Sequence, residues 1–164
     1  MTMSKLSHVR EDGSLIMVDV GAKPATARTA RAEARVRLSA AAADALRAAT
    51  LPKGDAFAAA QLAGIMAAKR TGELIPLAHP IALGAVDVAF GWDDPTTLRI
   101  CSRATTFGQT GVEMEAMVAA SVAALTIYDM CKAVDRGISI EAVQLEEKSG
   151  GRSGEWRRSD SEKS

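Results

Sequence analysis

Aromatic residues are scarce here: two Trp, one Tyr and three Phe in 164 residues. A core without large rings has to close on small side chains, and alanine dominates this chain, so tight packing between elements is expected. Cysteine is nearly missing too. Cys101 and Cys131 stand far apart with no CxxC spacing, which speaks against a disulfide framework or a cysteine zinc site. The two histidines, His8 and His79, lack HxH or HxxxH spacing, so no metal site is expected. An excess of either charge is also lacking, with 20 basic and 20 acidic residues, and nothing points to nucleic acid or an anionic membrane as partner. The first residues, MTMSKLSHVREDGS, hold no apolar stretch of the signal-peptide kind. The uncharged run 117–127 is short against a bilayer core of ~30 Å. A cytoplasmic location is the expectation.

What is present is an ordinary globular apolar fraction of 48%, enough for one domain with a real core. Residues 1–12 read as a loose polar arm and residues 149–164 as a mobile tail of glycine, serine and charge. In between, Ala32, Ala34, Val36 and Leu38 alternate with Arg31, Glu33, Arg35 and Arg37, the period of a half-solvated strand. Ser39 can cap a short helix to about residue 49, and Asp55 a second over 56–70, with Gly72 as its stop. Val86, Val88 and Phe90, then Leu98 and Ile100, mark two strands around an Asp93-Asp94-Pro95 turn. A long helix is expected over 111–134 and a last strand over 139–145. This order is the split βαβ pattern: an α+β ferredoxin-like sandwich, an antiparallel sheet with helices packed on one face.

The long helix is apolar almost all round, which one sheet cannot cover. A second copy of the chain covering the rest is the simplest expectation. Glu115 and Asp129 are 14 residues apart, on nearly the same helix face but ~21 Å apart along the axis. One small site can use both only where the helices of two chains run past each other. Asp129 and Lys132 are neighbours on one face; taken alone they read first as a surface ion pair, with an acid/base couple as the sharper alternative. Thr110 and Glu113 fit a capping box. His79 sits between Pro76 and Pro80 on a stiff loop, suited either to bonding its own loop or to proton transfer. His8, in the arm, is expected to be solvated. Lys53 lies in a turn, Lys69 and Arg70 end a helix, and Lys148-Ser149-Gly150-Gly151-Arg152-Ser153-Gly154 could offer backbone N–H groups to an anion without being a Walker loop.

The segments KGDAFAAAQLAGIMAAKRTGELIPLAHP, TGVEMEAMVAASVAALTIYDMCKAVD and EKSGGRSG together resemble the molybdenum cofactor biosynthesis protein C family, the cyclic pyranopterin monophosphate synthases. The resemblance runs over about 7–156. It implies a ferredoxin-like fold and a homohexamer, a trimer of dimers with sites at the dimer interface. It also implies a lyase reaction, in which 3′,8-cyclo-7,8-dihydroguanosine 5′-triphosphate becomes cyclic pyranopterin monophosphate and diphosphate. Carried over, Asp129, Lys132 and Lys53 are the catalytic group, and Leu77, Ala78, His79, Glu113, Met114, Glu115 and Lys148 bind substrate. Lys69 and Arg70 would touch the triphosphate. Ala78 departs from the family's usual Cys. No cofactor is implied as required, with Mg²⁺ at most accompanying the triphosphate. The alternative function is a non-catalytic oligomer that senses nucleotide or phosphate.

Overall fold

The computed structural model describes residues 8–10 and 12–158. Most of the expected arm, and the end of the expected tail, therefore lie outside the described residues. The elements run β1 (Thr26–Arg37), α1 (Ala40–Arg47), α2 (Ala56–Ala68), α3 (Thr71–Leu74), β2 (Ala85–Asp94), β3 (Thr97–Gly108), α4 (Glu113–Cys131), β4 (Ser139–Ser149) and β5 (Trp156–Arg157). The sheet order is β2-β3-β1-β4-β5, and every neighbouring pair is antiparallel. With helices on one side, this is the ferredoxin-like α+β arrangement.

The alternation in β1 decides which face the helices cover. Ala30, Ala32, Ala34 and Val36 are fully buried beneath them, with Leu98, Ile100 and Ala104 of β3. The other face carries charge: Arg31 pairs with Glu147, and Arg35 and Arg99 both reach Asp93. The strand begins five residues before its clear alternation, because its backbone pairs along β3 from Thr26, opposite Gly108, onward. β4 likewise runs on to Ser149, its charged end paired across to β1 and β5.

α4 packs on β1, β3 and β4 and alongside α2, which itself covers β2, with Ala116, Ala119, Ala120, Ala123, Ala124 and Ile127 of α4 buried. By length and composition α4 could cross a membrane, a match that the shorter run 117–127 did not suggest. The sheet and α2 cover much of α4 instead, while Leu125 stays 57% exposed. Small residues set the approach: a Cβ on Gly64 of α2 would stand 2.8 Å from the Ala119 carbonyl oxygen, closer than packed atoms tolerate. Ser102 Oγ, buried in β3, donates to the Ala116 carbonyl at 2.6 Å and fixes α4 on the sheet.

Ser39 and Asp55 cap α1 and α2 as expected, each side chain accepting a backbone N–H three residues on. Three expectations are corrected. The capping box at α4 does not form: Val112 is the N-cap, with no side-chain bond, because the Glu113 carboxylate instead meets Lys148. Gly72 does not end α2; it lies inside α3, where a Cβ would stand 3.3 Å from the Pro80 backbone, a tight approach. The segment after Ser149 is not wholly unstructured, since Trp156 and Arg157 return along β4 as a short strand.

Candidate active site

The sequence-predicted residues fall into two groups, one at each end of α4. At the C-terminal end, Asp129 accepts from Lys132 Nζ and Lys53 Nζ, both at 2.6 Å. The helix brings Lys132 round by its i,i+3 spacing. Lys53 arrives from the turn before α2, because α2 packs along α4. The two ammonium groups, Lys132 first and then Lys53, hold the Asp129 carboxyl well down, at about 2. It is therefore ionised at any physiological pH. All three side chains are about half exposed, so the cluster is open at the surface.

At the N-terminal end a cavity of about 450 Å³ is lined by Leu77, Ala78, His79, Glu113, Met114 and Glu115. Its far wall is the segment before β1, with Val18 and Val20. His79 Nε2 lies 2.8 Å from the Val18 carbonyl oxygen. A carbonyl only accepts, so Nε2 carries the proton and Nδ1 is the nitrogen left for a ligand. Glu115 is 2% exposed. Burial, and then the neighbouring Glu113 charge, raise its carboxyl above the ordinary value, as a desolvated acid near a like charge must be. His8 also lines this cavity, with its Nδ1 3.2 Å from the Ile16 carbonyl oxygen; the expectation of a solvated arm histidine is corrected.

A second cavity of about 420 Å³ adjoins the first, lined by Lys23, Arg28, Lys148 and Arg152. Lys23, Thr110, Gly111 and Glu113 line both. The Lys148–Glu113 pair, at 2.7 Å, stands at the boundary. A Cβ on Gly111 would collide with the Glu113 carboxylate, so only glycine lets that side chain fold back across the wall. Nothing in the sequence marks Lys23, Arg28 or Thr110 as site residues. The one available signal was a pair of cations flanking the start of a strand, which is too common to choose among. Lys69 and Arg70, expected at the triphosphate, are exposed beyond α2 and line neither cavity. Among the described residues, no three His, Cys, Asp or Glu side chains converge as a metal site would require.

A ferredoxin-like α+β chain with this array belongs to the class of proteins that place acid/base side chains beside a pocket for an anionic ligand. Comparison with known proteins narrows the class. The MoaC family profile matches residues 17–151, and the chain belongs to the MoaC family. It is 53% identical over 157 residues to cyclic pyranopterin monophosphate synthase 1 of Mycobacterium bovis (strain ATCC BAA-935 / AF2122/97), covering 96% of this chain and 92% of that protein. It is 52% identical to cyclic pyranopterin monophosphate synthase 3 of Mycobacterium tuberculosis (strain CDC 1551 / Oshkosh), covering 96% and 89%. The cyclic pyranopterin monophosphate synthase of Thermomicrobium roseum (strain ATCC 27502 / DSM 5159 / P-2) is 53% identical over 161 residues, covering 98% and 97%.

Proposed function

We propose that this chain is a cyclic pyranopterin monophosphate synthase, a lyase of molybdenum cofactor biosynthesis. It converts 3′,8-cyclo-7,8-dihydroguanosine 5′-triphosphate to cyclic pyranopterin monophosphate and diphosphate. The observation that carries the reading is the junction of two unlike cavities. One holds His79 and the protonation-prone Glu115; the other is lined by four cations. That pairing suits a substrate with a fused heterocycle at one end and a phosphate chain at the other.

The chemistry follows from the side chains. Rearranging the ring system moves protons on and off nitrogen and carbon, work for groups held at shifted proton affinity. A ribose hydroxyl oxygen then attacks the α-phosphorus and loses its proton to a base, while diphosphate departs. Cations around the leaving group stabilise the charge it gathers. No resident cofactor enters this scheme, and Mg²⁺ would arrive only as a counter-ion of the triphosphate.

Asp129, Lys53 and Lys132 are too far along α4 to reach the cavities of their own chain. The reading is completed by a second copy with its α4 running in the opposite direction. Leu62 and Met66 of α2 and Leu125 of α4 are 60%, 46% and 57% exposed, an apolar surface suited to that contact. On this reading the protein is a cytoplasmic homohexamer built from such dimers. The test is to incubate the purified chain with the cyclic triphosphate and follow diphosphate and the cyclic monophosphate. Stoichiometric release of both supports the lyase; substrate bound but unchanged would mark a phosphate-sensing module instead.

A further inference from the structure

The cation-lined cavity has two walls that belong to different parts of the chain. One is the turn from β3 into α4, residues 108–112; the other is the turn after β4, residues 149–154. A single side chain touches both. Arg28 Nε donates to the Gly108 carbonyl at 2.9 Å and Nη2 to the Gln109 carbonyl at 3.1 Å. On its other side, a Cβ on Gly151 would overlap Arg28 Nη1, and a Cβ on Gly150 would overlap the Ala27 carbonyl oxygen. Gly150 and Gly151 have positive φ, +95° and +73° respectively, which side chains other than glycine adopt at a cost. The second turn is thus seated directly on the guanidinium. Arg28 has no carboxylate partner among the described residues, so its charge is not consumed by the contacts that hold it.

We propose that Arg28 is a positioning residue that clamps the two walls of the cationic cavity and thereby fixes Lys148 and Glu113 at their meeting point for a diphosphate-bearing ligand. The proposal rests on the reading of this cavity as the phosphate end of the site. Lys148 is the residue next but one before Gly150, and Glu113 follows the pinned turn, so each wall delivers one member of the 2.7 Å pair. A planar guanidinium spans two carbonyls and a flat glycine backbone at once; an ammonium group cannot. Gly151 contributes no functional group, so its only part in the clamp is to leave space.

The experiment is calorimetric titration of the full chain with inorganic diphosphate, which needs no turnover, alongside thermal melting. The wild type is expected to bind. Arg28→Lys and Gly151→Ala are each expected to weaken binding by about tenfold or more, as displacements of a binding group do, and the double variant by no more than the worse single, because both break one contact. Arg28→Lys should melt close to wild type and Gly151→Ala close to Gly154→Ala, which carries the same positive-φ cost, whereas a merely structural role would lower both further. Gly154→Ala is the control: the residue is in the same turn with positive φ, but nothing lies within 4 Å of its would-be Cβ, and its affinity should hold within about twofold. Arg28→Lys binding like wild type would show that charge alone suffices and overturn the clamp. So would additive losses in the double variant, or an equal loss in Gly154→Ala. A wild-type chain that does not bind diphosphate at all overturns the phosphate-end reading itself, a result distinct from any of these.

Discussion

Asp129 and Glu115 are carboxylates on one helix in opposite circumstances. Asp129, near the C-terminal end of α4, is half exposed and flanked by two ammonium groups at 2.6 Å. Glu115, in the first turn, is almost completely buried with another carboxylate nearby. The first is held ionised and the second is pushed toward its neutral form. One residue class is therefore shifted in opposite directions through surroundings alone. A proton-transfer site can use both, a group of lowered proton affinity and a group of raised proton affinity. The chain keeps them ~21 Å apart on one helix, so that each is tuned without the other's charge.

The sharpest way to break this contrast is to remove the charge of Asp129 and leave its shape. Asp129→Asn should fold with an unchanged far-ultraviolet spectrum and lose product formation by about a thousandfold, the range of a lost general acid or base. Turnover within tenfold of wild type would mean that the two-lysine cluster is only a surface ion pair. A second test asks whether the two ends serve one site. Asp129→Asn and Glu115→Gln chains, each inactive alone, should on mixing and re-association recover about a quarter of wild-type activity, since half the random dimers carry one intact site of two. If both residues act within the same chain, mixing restores nothing.

How much of this was legible follows from the range of each interaction. The i,i+3 neighbourhood of Asp129 and Lys132 is a local consequence of helix geometry, and the sequence contained it. The Lys53 contact was not in the spacing. It depends on α2 lying along α4, which depends in turn on the small residues around Gly64. Glu113 illustrates the failure in the other direction. Its local pattern with Thr110 fits a cap, yet a lysine 35 positions away in sequence takes its carboxylate, because a bond to an ammonium group is charged on both sides and a bond to a backbone N–H on one only. The cations Lys23 and Arg28 were hidden for the same reason: their meaning comes from a turn at residues 108–109 and another at 150–151. β5 has no local signal, since the glycine and serine before it favour no regular element, and only pairing along β4 gives Trp156 and Arg157 a strand. The strands, by contrast, alternate in the chain itself, so the sandwich was readable.

The contrast between the two carboxylates also has opposite signatures in stability against pH, a smaller effect than those on turnover. Asp129 has its proton affinity lowered in the fold, so its ion pairs stabilise at neutral pH, and that contribution fades as pH falls through the unfolded carboxylate range toward about 2. Glu115 has its affinity raised, so its contribution is fully present in acid and is lost as pH rises through its elevated folded value. Glu115→Gln removes the second term. Between pH 5 and pH 8 the variant should lose less stability than wild type, a difference of a few degrees in melting temperature by calorimetry. Parallel curves for the two proteins would show that Glu115 is solvated and ionised, and the contrast would collapse.

The smallest expected effect concerns Ala78, beside His79 in the cavity at the Glu115 end. Its backbone N–H donates to the Ile75 carbonyl at 3.0 Å, closing the turn that aims His79, and that bond does not depend on the side chain. Pro76 and Pro80 stiffen the turn from either side. The cavity is about 450 Å³, so one added sulfur atom would occupy little of it. Ala78→Cys, which installs the thiol usual in the resembling family, should therefore leave kcat and KM within about twofold of this chain's own values, the size of a substitution that disturbs no packing or hydrogen bond. A large gain in kcat would assign a chemical role to a thiol at this position and shift proton transfer at this end of α4 away from His79 and Glu115. A rise in KM with kcat unchanged would instead make residue 78 a matter of fit, leaving the two-carboxylate contrast intact.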